Sequence, residues 1–187
     1  MAGSRTLTGK NLDAAMKMLA DICGVLDQAG VHYMLDAGTL LGVVRENRLL
    51  PWDNDMDLCV PRTEFDKLVG VLDQFHALGY KTQVRKHERD DPPMLKSNER
   101  IIKVWVPKMV FFKAVLLDIF IKTKVDDQYV WAEGITRYAR KATPARFLDE
   151  LKRVDFHGRE YPIPVDAEDY LTHRYGDWRT PKKEWDH

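Results

Sequence analysis

The stretch of sequence that decides the fold runs from residue 38 to residue 60 and consists of two blocks, GTLLGVVR at 38–45 and PWDNDMDLCV at 51–60. The first block places small residues at the start of a short apolar helix, where the first backbone N–H groups lack partners within the helix and suit a phosphate. The second block places aspartates at alternate positions where an apolar strand begins. Their Cα atoms are expected roughly 6–7 Å apart on one side of the chain. This order predicts an enzyme that binds a cation and a nucleotide phosphate.

The second block is unusual because Asp53, Asp55 and Asp57 fall on one face of the predicted strand, whereas Met56 and Leu58 fall on the other. Carboxylates this close repel one another, and each raises the pKa of its neighbours unless a cation neutralises them. The pattern therefore favours a metal site, with an exposed acidic turn as the alternative.

Several metal motifs compete for these acids. A calcium-binding EF-hand loop requires glycine where this chain has Leu58. The Asp-x-Asp motif of glycosyltransferases usually ends an apolar strand, whereas these acids begin one. A nucleotidyltransferase site needs a Gly-Thr turn, acids that open a strand, and a third acid from a neighbouring strand. Asp118, within LLDIF at 116–120, supplies that acid, although a satisfied carboxylate at a sheet edge is the alternative. Carboxylate ligands favour Mg²⁺ or Mn²⁺.

Composition limits the class of protein. The 187 residues suit one domain over 1–187, with a core at about 8–122 and a helical and hairpin tail at about 123–187. The 29 basic and 29 acidic residues balance, which argues against binding a nucleic acid polymer. Basic residues between 81 and 113 are interspersed with acids and are interpreted as a solvated face. The sequence shows neither a signal peptide nor a membrane span, so we expect a cytoplasmic protein.

The periodicity of apolar residues predicts an α+β (mixed α/β) fold with its chemistry at strand ends. Predicted helices lie at 8–29, 38–45, 63–75, 133–141 and 166–175. Predicted strands lie at 31–35, 55–60, 79–84, 101–106 and 110–121, and a hairpin lies at 154–163.

The two opening blocks resemble the signature of the LicD family, which includes bacterial phosphocholine transferases and the animal fukutin-related proteins. The resemblance rests on GTLLG-x-x-R at 38–45 and PWD-x-D-x-D at 51–57. LDIF at 117–120 is similar to a strand of that family, and YPIP at 161–164 with YGDW at 175–178 is similar to its closing motif. The resemblance touches most of the chain between residues 33 and 181.

The resemblance implies a nucleotidyltransferase fold related to the polymerase-beta superfamily, with a mixed sheet flanked by helices. It also implies transfer of a phosphorylated alcohol, such as phosphocholine or a polyol phosphate, from a CDP-linked donor to a sugar hydroxyl of a glycan or glycolipid. Asp55, Asp57 and Asp118 would then be the catalytic residues that hold Mg²⁺ or Mn²⁺. Asp118 acts either as a ligand or as a general base.

Five further residues are expected to bind the donor: Gly38, Thr39, Arg45, Trp52 and Asp53. The Gly38-Thr39 turn would bind phosphate oxygens, and Arg45 would form a bidentate contact with a phosphate of the donor. Trp52 would pack against the base or the alcohol of the donor. Two other functions remain open at this stage. One is transfer of a nucleoside monophosphate from a triphosphate onto a small molecule, and the other is an inactive module that holds a nucleotide. The sequence leaves the donor alcohol, the acceptor, the number of metals and the oligomeric state open.

Overall fold

A computed structural model of the chain describes residues 6–107, 115–134 and 139–180. In chain order the helices are α1 (Lys10–Gln28), α2 (Ala37–Glu46), α3 (Phe65–Gly70), α4 (Leu72–Ala77), α5 (Arg146–Asp149) and α6 (Ala167–Tyr175). The strands are β1 (Met34–Leu35), β2 (Asp55–Pro61), β3 (Lys81–Lys86), β4 (Glu99–Trp105), β5 (Leu116–Val125), β6 (Gln128–Glu133), β7 (Ala139–Pro144), β8 (Leu151–Phe156) and β9 (Arg159–Pro164).

Within the described residues, seven strands form one mixed sheet. Five of them follow the order β1-β2-β5-β4-β3, and β6 pairs with both β5 and β7. β2 and β5 are parallel, whereas the other neighbours are antiparallel. The predicted α+β class, with a mixed sheet flanked by helices, is confirmed.

The sheet has one apolar face and one face that carries charged groups. Met56, Leu58, Leu117 and Ile119 are closed to solvent and alternate with the acids along β2 and β5. Helix α1 packs against β5 and α4, and its buried residues recur at helical spacing. The core therefore forms on the apolar face and leaves the other face to position the acids.

The C-terminal part of the chain covers the region around β1 and α2. β8 and β9 form a separate hairpin, β9 lies beside β1, and α6 packs against α2 and β9. Asp27 at the end of α1 holds this hairpin through ion pairs with Arg153 and Arg159, each 2.9 Å long. Two sets of contacts thus hold the C-terminal part against the core, the packing of α6 on α2 and the ion pairs of Asp27.

Two predicted helices differ from the observed elements. The helix predicted at 133–141 is wrong, because β6 ends at Glu133 and β7 covers Ala139–Pro144, with 135–138 outside the described residues. Pairing of β6 with β5 and β7 satisfies this backbone, so tertiary context overrides local helix propensity. The helix predicted at 63–75 is divided at Val71 into α3 and α4, after a single 3-10 turn at Arg62–Glu64.

The strand predicted at 110–121 is observed as β5, which starts at Leu116 and continues to Val125. Residues 110–114 of that prediction lie outside the described part. The boundary expected near residue 122 between core and tail falls inside β5. In the described part of the chain, no helix combines the length and the apolarity that crossing a membrane requires.

Candidate active site

Asp57 on β2 and Asp118 on β5 are direct partners in the parallel pairing of these strands. Partners in register point to the same side of a sheet, and so do residues two apart along one strand. Asp55, Asp57 and Asp118 therefore share one face, which we call the acid face. The structure brings the three predicted acids together, while their roles as metal ligands stay a prediction.

The start of α2 is bound to Asp57 through both backbone polar groups of that residue. The backbone N–H of Asp57 donates to Thr39 Oγ1 at 2.8 Å, and the carbonyl of Asp57 accepts from the N–H of Asp36 at 3.0 Å. Asp36 is also the N-cap of α2, because its carboxylate accepts from the N–H of Ala37 at 2.8 Å. The first turn of α2, with its amide groups, is thus fixed beside the acids.

Gly38 lies in close contact with the acids, and a larger residue there would have to displace a carboxylate. A Cβ atom on Gly38 would lie 2.2 Å from Asp53 Oδ2 and 4.0 Å from Asp57 Oδ2. Gly42 meets a similar restriction, since a Cβ there would lie 2.4 Å from the carbonyl oxygen of Arg48. The lack of a side chain at Gly38 therefore allows the first turn of α2 to lie directly against the acidic block, and Gly42 allows the chain after α2 to pack close to the helix.

The pKa values of the acids show how much negative charge is concentrated here. Burial raises the pKa of Asp55 to about 7, and the carboxylates of Asp53 and Asp118 add to this effect. The pKa of Asp57 lies well above its usual range, first because of burial and then because of Asp55 and Asp53. We call Asp53, Asp55, Asp57 and Asp118 the acidic cluster. It needs a cation or a proton to offset its charge.

The acidic cluster fits a hard divalent cation in its chemistry. Asp118 is only 5% exposed, and its Oδ1 atom is buried without a hydrogen-bond partner in the described residues. Its Oδ2 atom accepts from the ammonium of Lys103 at 2.5 Å. Among the described residues, no group of three or more ligating side chains stands as a ready-made cage for a metal ion. The donor atoms suit Mg²⁺ or Mn²⁺, but the carboxylates must adjust to enclose either ion.

Arg45 and Trp52, both expected to meet the donor, lie near each other. The guanidinium of Arg45 lies 5.9 Å from the ring centroid of Trp52, and Trp52 is 44% exposed. The Arg45 side chain is 7% exposed and donates to the carbonyl of Trp178 at 3.0 Å and to Glu46 Oε1 at 2.9 Å. Arg45 thus joins α2 to the tail, and its contact with a donor phosphate stays a prediction.

A buried polar network lies behind α2, and its pairing is not predicted from the sequence. Lys122 on β5 lies 2.6 Å from Asp36 Oδ2, the hydroxyl of Tyr170 donates to Asp36 Oδ1, and Arg174 approaches the same oxygen at 4.0 Å. The Lys122 ammonium also lies 4.0 Å from the ring centroid of Trp131. Burial alone would raise the pKa of Asp36, but Lys122 and Arg174 outweigh it and hold that pKa well below its usual range.

The sequence does hold weak signals for these residues. Asp36 stands immediately before the small-residue turn, where an N-cap aspartate is favoured. Lys122 follows Asp118 by four positions, which places both on the same face of a strand. Lys103 belongs to the basic residues between 81 and 113, which the sequence predicts to form a solvated face, whereas its side chain is only 18% exposed and is paired with Asp118.

The comparison with protein families identifies the class. A family model described as LicD/FKTN/FKRP, nucleotidyltransferase domain, matches residues 30–166. This chain therefore belongs to the LicD/FKTN/FKRP nucleotidyltransferase family.

Three relatives illustrate the similarity. An uncharacterized protein of Rickettsia prowazekii is 26% identical over 174 residues, covering 92% of this chain and 58% of that protein. Human ribitol 5-phosphate transferase FKRP is 51% identical over 37 residues, covering 20% of this chain and 8% of FKRP. The lipopolysaccharide cholinephosphotransferase LicD of Haemophilus influenzae is 39% identical over 41 residues, covering 22% of this chain and 16% of that protein. The chain spans about half the length of the curated relatives it matches along most of its sequence.

A solved structure supports the fold. The crystal structure of ANT(2")-Ia in complex with adenylyl-2"-tobramycin aligns with a TM-score of 0.50 and 14% sequence identity. The alignment covers 90% of this chain and 82% of that one. The likeness confirms the nucleotidyltransferase fold that the sequence predicts.

Proposed function

We propose that this chain is a metal-dependent transferase that moves a phosphorylated alcohol from a CDP-linked donor to a sugar hydroxyl of a glycan or glycolipid. One observation carries the proposal. Asp57 and Asp118 stand side by side on parallel strands, next to the first turn of α2, and one buried oxygen of Asp118 has no partner in the described residues. Membership of the LicD/FKTN/FKRP family supports the same chemistry.

The acidic cluster and α2 have different tasks in this reaction. Asp55, Asp57 and Asp118 would hold Mg²⁺ or Mn²⁺, which when bound neutralises the diphosphate and stabilises charge on the departing CMP. The first-turn amides at Gly38 and Thr39 bind phosphate oxygens, because the N-terminal end of a helix favours anions. Asp53 lies against Gly38 and narrows the space between the helix and the acids.

The group transfer balances without a further reactant. The acceptor hydroxyl oxygen attacks the phosphorus that carries the alcohol, in line with the bond to CMP. A new P–O bond forms to the sugar, the P–O bond to CMP breaks, and CMP leaves with that electron pair. The hydroxyl proton passes to a general base, a role that Asp118 would take in place of metal ligation. Positioning the two substrates supplies much of the rate enhancement in such transfers.

The aromatic ring of Trp52 provides a surface for the donor. Trp52 is exposed and directly precedes Asp53 of the acidic cluster in the sequence. A quaternary ammonium such as that of choline is attracted to an aromatic face. Contact of the Trp52 ring with the alcohol part of the donor would favour phosphocholine over polyol phosphates. Contact with the cytosine base would serve every CDP-linked donor equally.

The experiment compares donors and measures which product leaves. The purified chain is incubated with Mg²⁺, sugar acceptors, and CDP-choline, CDP-polyols, CTP or ATP. We expect CMP release from a CDP-linked alcohol and its loss in Asp118→Asn. Pyrophosphate release from CTP or ATP without CMP would instead identify a nucleotidyltransferase. A chain that binds cytidine diphosphates but releases neither product would be an inactive nucleotide-binding module.

A further inference from the structure

Lys103 and Asp118 form an ion pair inside the acid face. The two residues are direct partners in the antiparallel pairing of β4 with β5, so their side chains lie on the same side of the sheet. Lys103 Nζ lies 2.5 Å from Asp118 Oδ2, and the two side chains are 18% and 8% exposed. A row of three residues therefore crosses three neighbouring strands in the order Lys103, Asp118, Asp57.

The Lys103 ammonium pairs with only one of the two carboxylate oxygens of Asp118. Its Oδ2 atom is taken by Lys103, whereas its buried Oδ1 atom lacks a hydrogen-bond partner in the part of the chain that the structure describes. The ammonium also acts on the neighbouring acids, since its charge opposes the burial and repulsion that raise the pKa of Asp55. Lys103 thus supplies positive charge where the proposed function requires a divalent cation.

We propose that Lys103 is the resident counter-ion of the acidic cluster and gives up Asp118 Oδ2 when a divalent cation binds together with a phosphate-bearing nucleotide. The inference rests on the proposed function in that it assumes a cation at Asp118. An ammonium is also a good phosphate ligand. The charge released from Asp118 can therefore pair with the phosphate that arrives with the metal.

This exchange has two thermodynamic consequences. Without nucleotide, the metal must displace an ammonium, so it binds more weakly than the carboxylates alone would allow. With nucleotide, the displaced ammonium gains a phosphate partner, so each ligand strengthens the binding of the other, and this coupling is reciprocal. Lys103 would therefore weaken the binding of a metal ion alone and strengthen the binding of a metal ion that arrives with the nucleotide.

The test measures Mn²⁺ affinity by titration calorimetry, with and without CDP, in the wild type and in Lys103→Met. We expect Lys103→Met to bind Mn²⁺ alone roughly tenfold more tightly, because one positive charge has left the cluster. CDP should then increase the Mn²⁺ affinity of Lys103→Met by a smaller factor than in the wild type. A residue that only supports the sheet would lower or leave unchanged the affinity for Mn²⁺ when removed.

Lys81→Met is the matched control. Lys81 is exposed on β3, pairs with Trp105 and lies on the same side of the sheet as Lys103, but two strands away from Asp118. Its removal lowers the net charge equally and should change the Mn²⁺ affinity less than twofold. If Lys103→Met does not fold, Lys103→Gln should show the same direction, because a neutral amide also removes the positive charge from the cluster.

Two results would overturn the inference. One is an unchanged or weaker affinity for Mn²⁺ in the folded Lys103 variants, and the other is absence of Mn²⁺ binding in the wild type and variants alike, with and without CDP. The proposed function fails separately, when CDP-linked alcohols bind but release no CMP. Tighter Mn²⁺ binding in Lys103→Met would then still support the counter-ion role.

Discussion

Lys122 Nζ lies 2.6 Å from Asp36 Oδ2, and both side chains are closed to solvent, at 0% and 1% exposure. The pair joins the middle of the sheet to the N-cap of α2, because Asp36 caps the helix and its N–H donates to the carbonyl of Asp57. Burial alone would lower the pKa of Lys122, but the Asp36 carboxylate outweighs it and raises that pKa above its usual range. This buried ion pair therefore fixes the helix start that stands beside the acids.

Lys122→Met is expected to destabilise the protein strongly. The change leaves the Asp36 carboxylate buried without its nearest cation, and breaking a buried pair in this way typically costs about 3–5 kcal/mol in the free energy of unfolding. Urea unfolding followed by circular dichroism measures it. Lys124→Met is the control on the same strand, where an exposed pair with Asp149 predicts a loss of about 1 kcal/mol or less. Equal losses in the two variants would contradict the role assigned to the buried pair.

Gly38→Ala tests the close approach of α2 to the acidic cluster. The new Cβ would lie 2.2 Å from Asp53 Oδ2, so the carboxylate and the helix must move apart. We expect kcat/KM for CMP release to fall about a hundredfold, since small displacements of positioned groups have effects of this size.

The control for that variant is Gly70→Ala in α3, where a Cβ meets nothing within 4 Å. It should keep full activity and gain up to about 1 kcal/mol in the free energy of unfolding, because alanine restricts the unfolded chain. Full activity in Gly38→Ala would show that the contact with Asp53 does not position the reaction.

The acidic cluster predicts how stability depends on pH in the metal-free protein. The pKa of Asp55 rises from 3.8 to about 7 in the folded state, so folding favours the protonated form. This stabilising contribution is complete below the unfolded pKa and is lost as the pH rises through the folded pKa. With EDTA present, the Tm of the wild type should fall more steeply between about pH 4 and pH 8 than that of Asp55→Asn. Parallel Tm curves would contradict the raised pKa.

Arg45 predicts a further effect on the tail. Arg45→Met removes the hydrogen bond to the carbonyl of Trp178 and should speed cleavage by chymotrypsin after Trp178 severalfold, measured without donor. Arg48→Met is the control, because Arg48 is an exposed partner of the same Glu46. Unchanged cleavage with a raised KM for the donor would instead assign Arg45 to phosphate binding alone.

The local elements with strong periodicity were predictable from the sequence. The helix expected at 8–29 is α1, and the strand expected at 55–60 is β2, because each shows its own apolar repeat. The last helix begins and ends within one residue of the predicted bounds. The apolar face of each of these elements can be recognised from its own residues, without knowledge of the elements against which it packs.

The candidate site was predictable only in part, since its counter-ions come from distant positions. Asp118 was expected near Asp57 because a third acid must come from a neighbouring strand. The register that opposes Asp118 to both Asp57 and Lys103 depends on pairing across the sheet. The contact between Lys122 and Asp36 likewise joins residues far apart in the chain. A single sequence shows which charged residues are available for such contacts, but it does not show which of them pair with one another.

The proposed function requires that Asp57 and Asp118 share one divalent cation in the presence of a cytidine diphosphate. The most direct measurement is the anomalous scattering of manganese in crystals grown with MnCl₂ and CDP. We expect a manganese peak about 2.1 Å from carboxylate oxygens of both Asp57 and Asp118, with the Lys103 ammonium moved away from Asp118. Bound CDP with no manganese between these two residues, and with Lys103 still paired to Asp118, would contradict it.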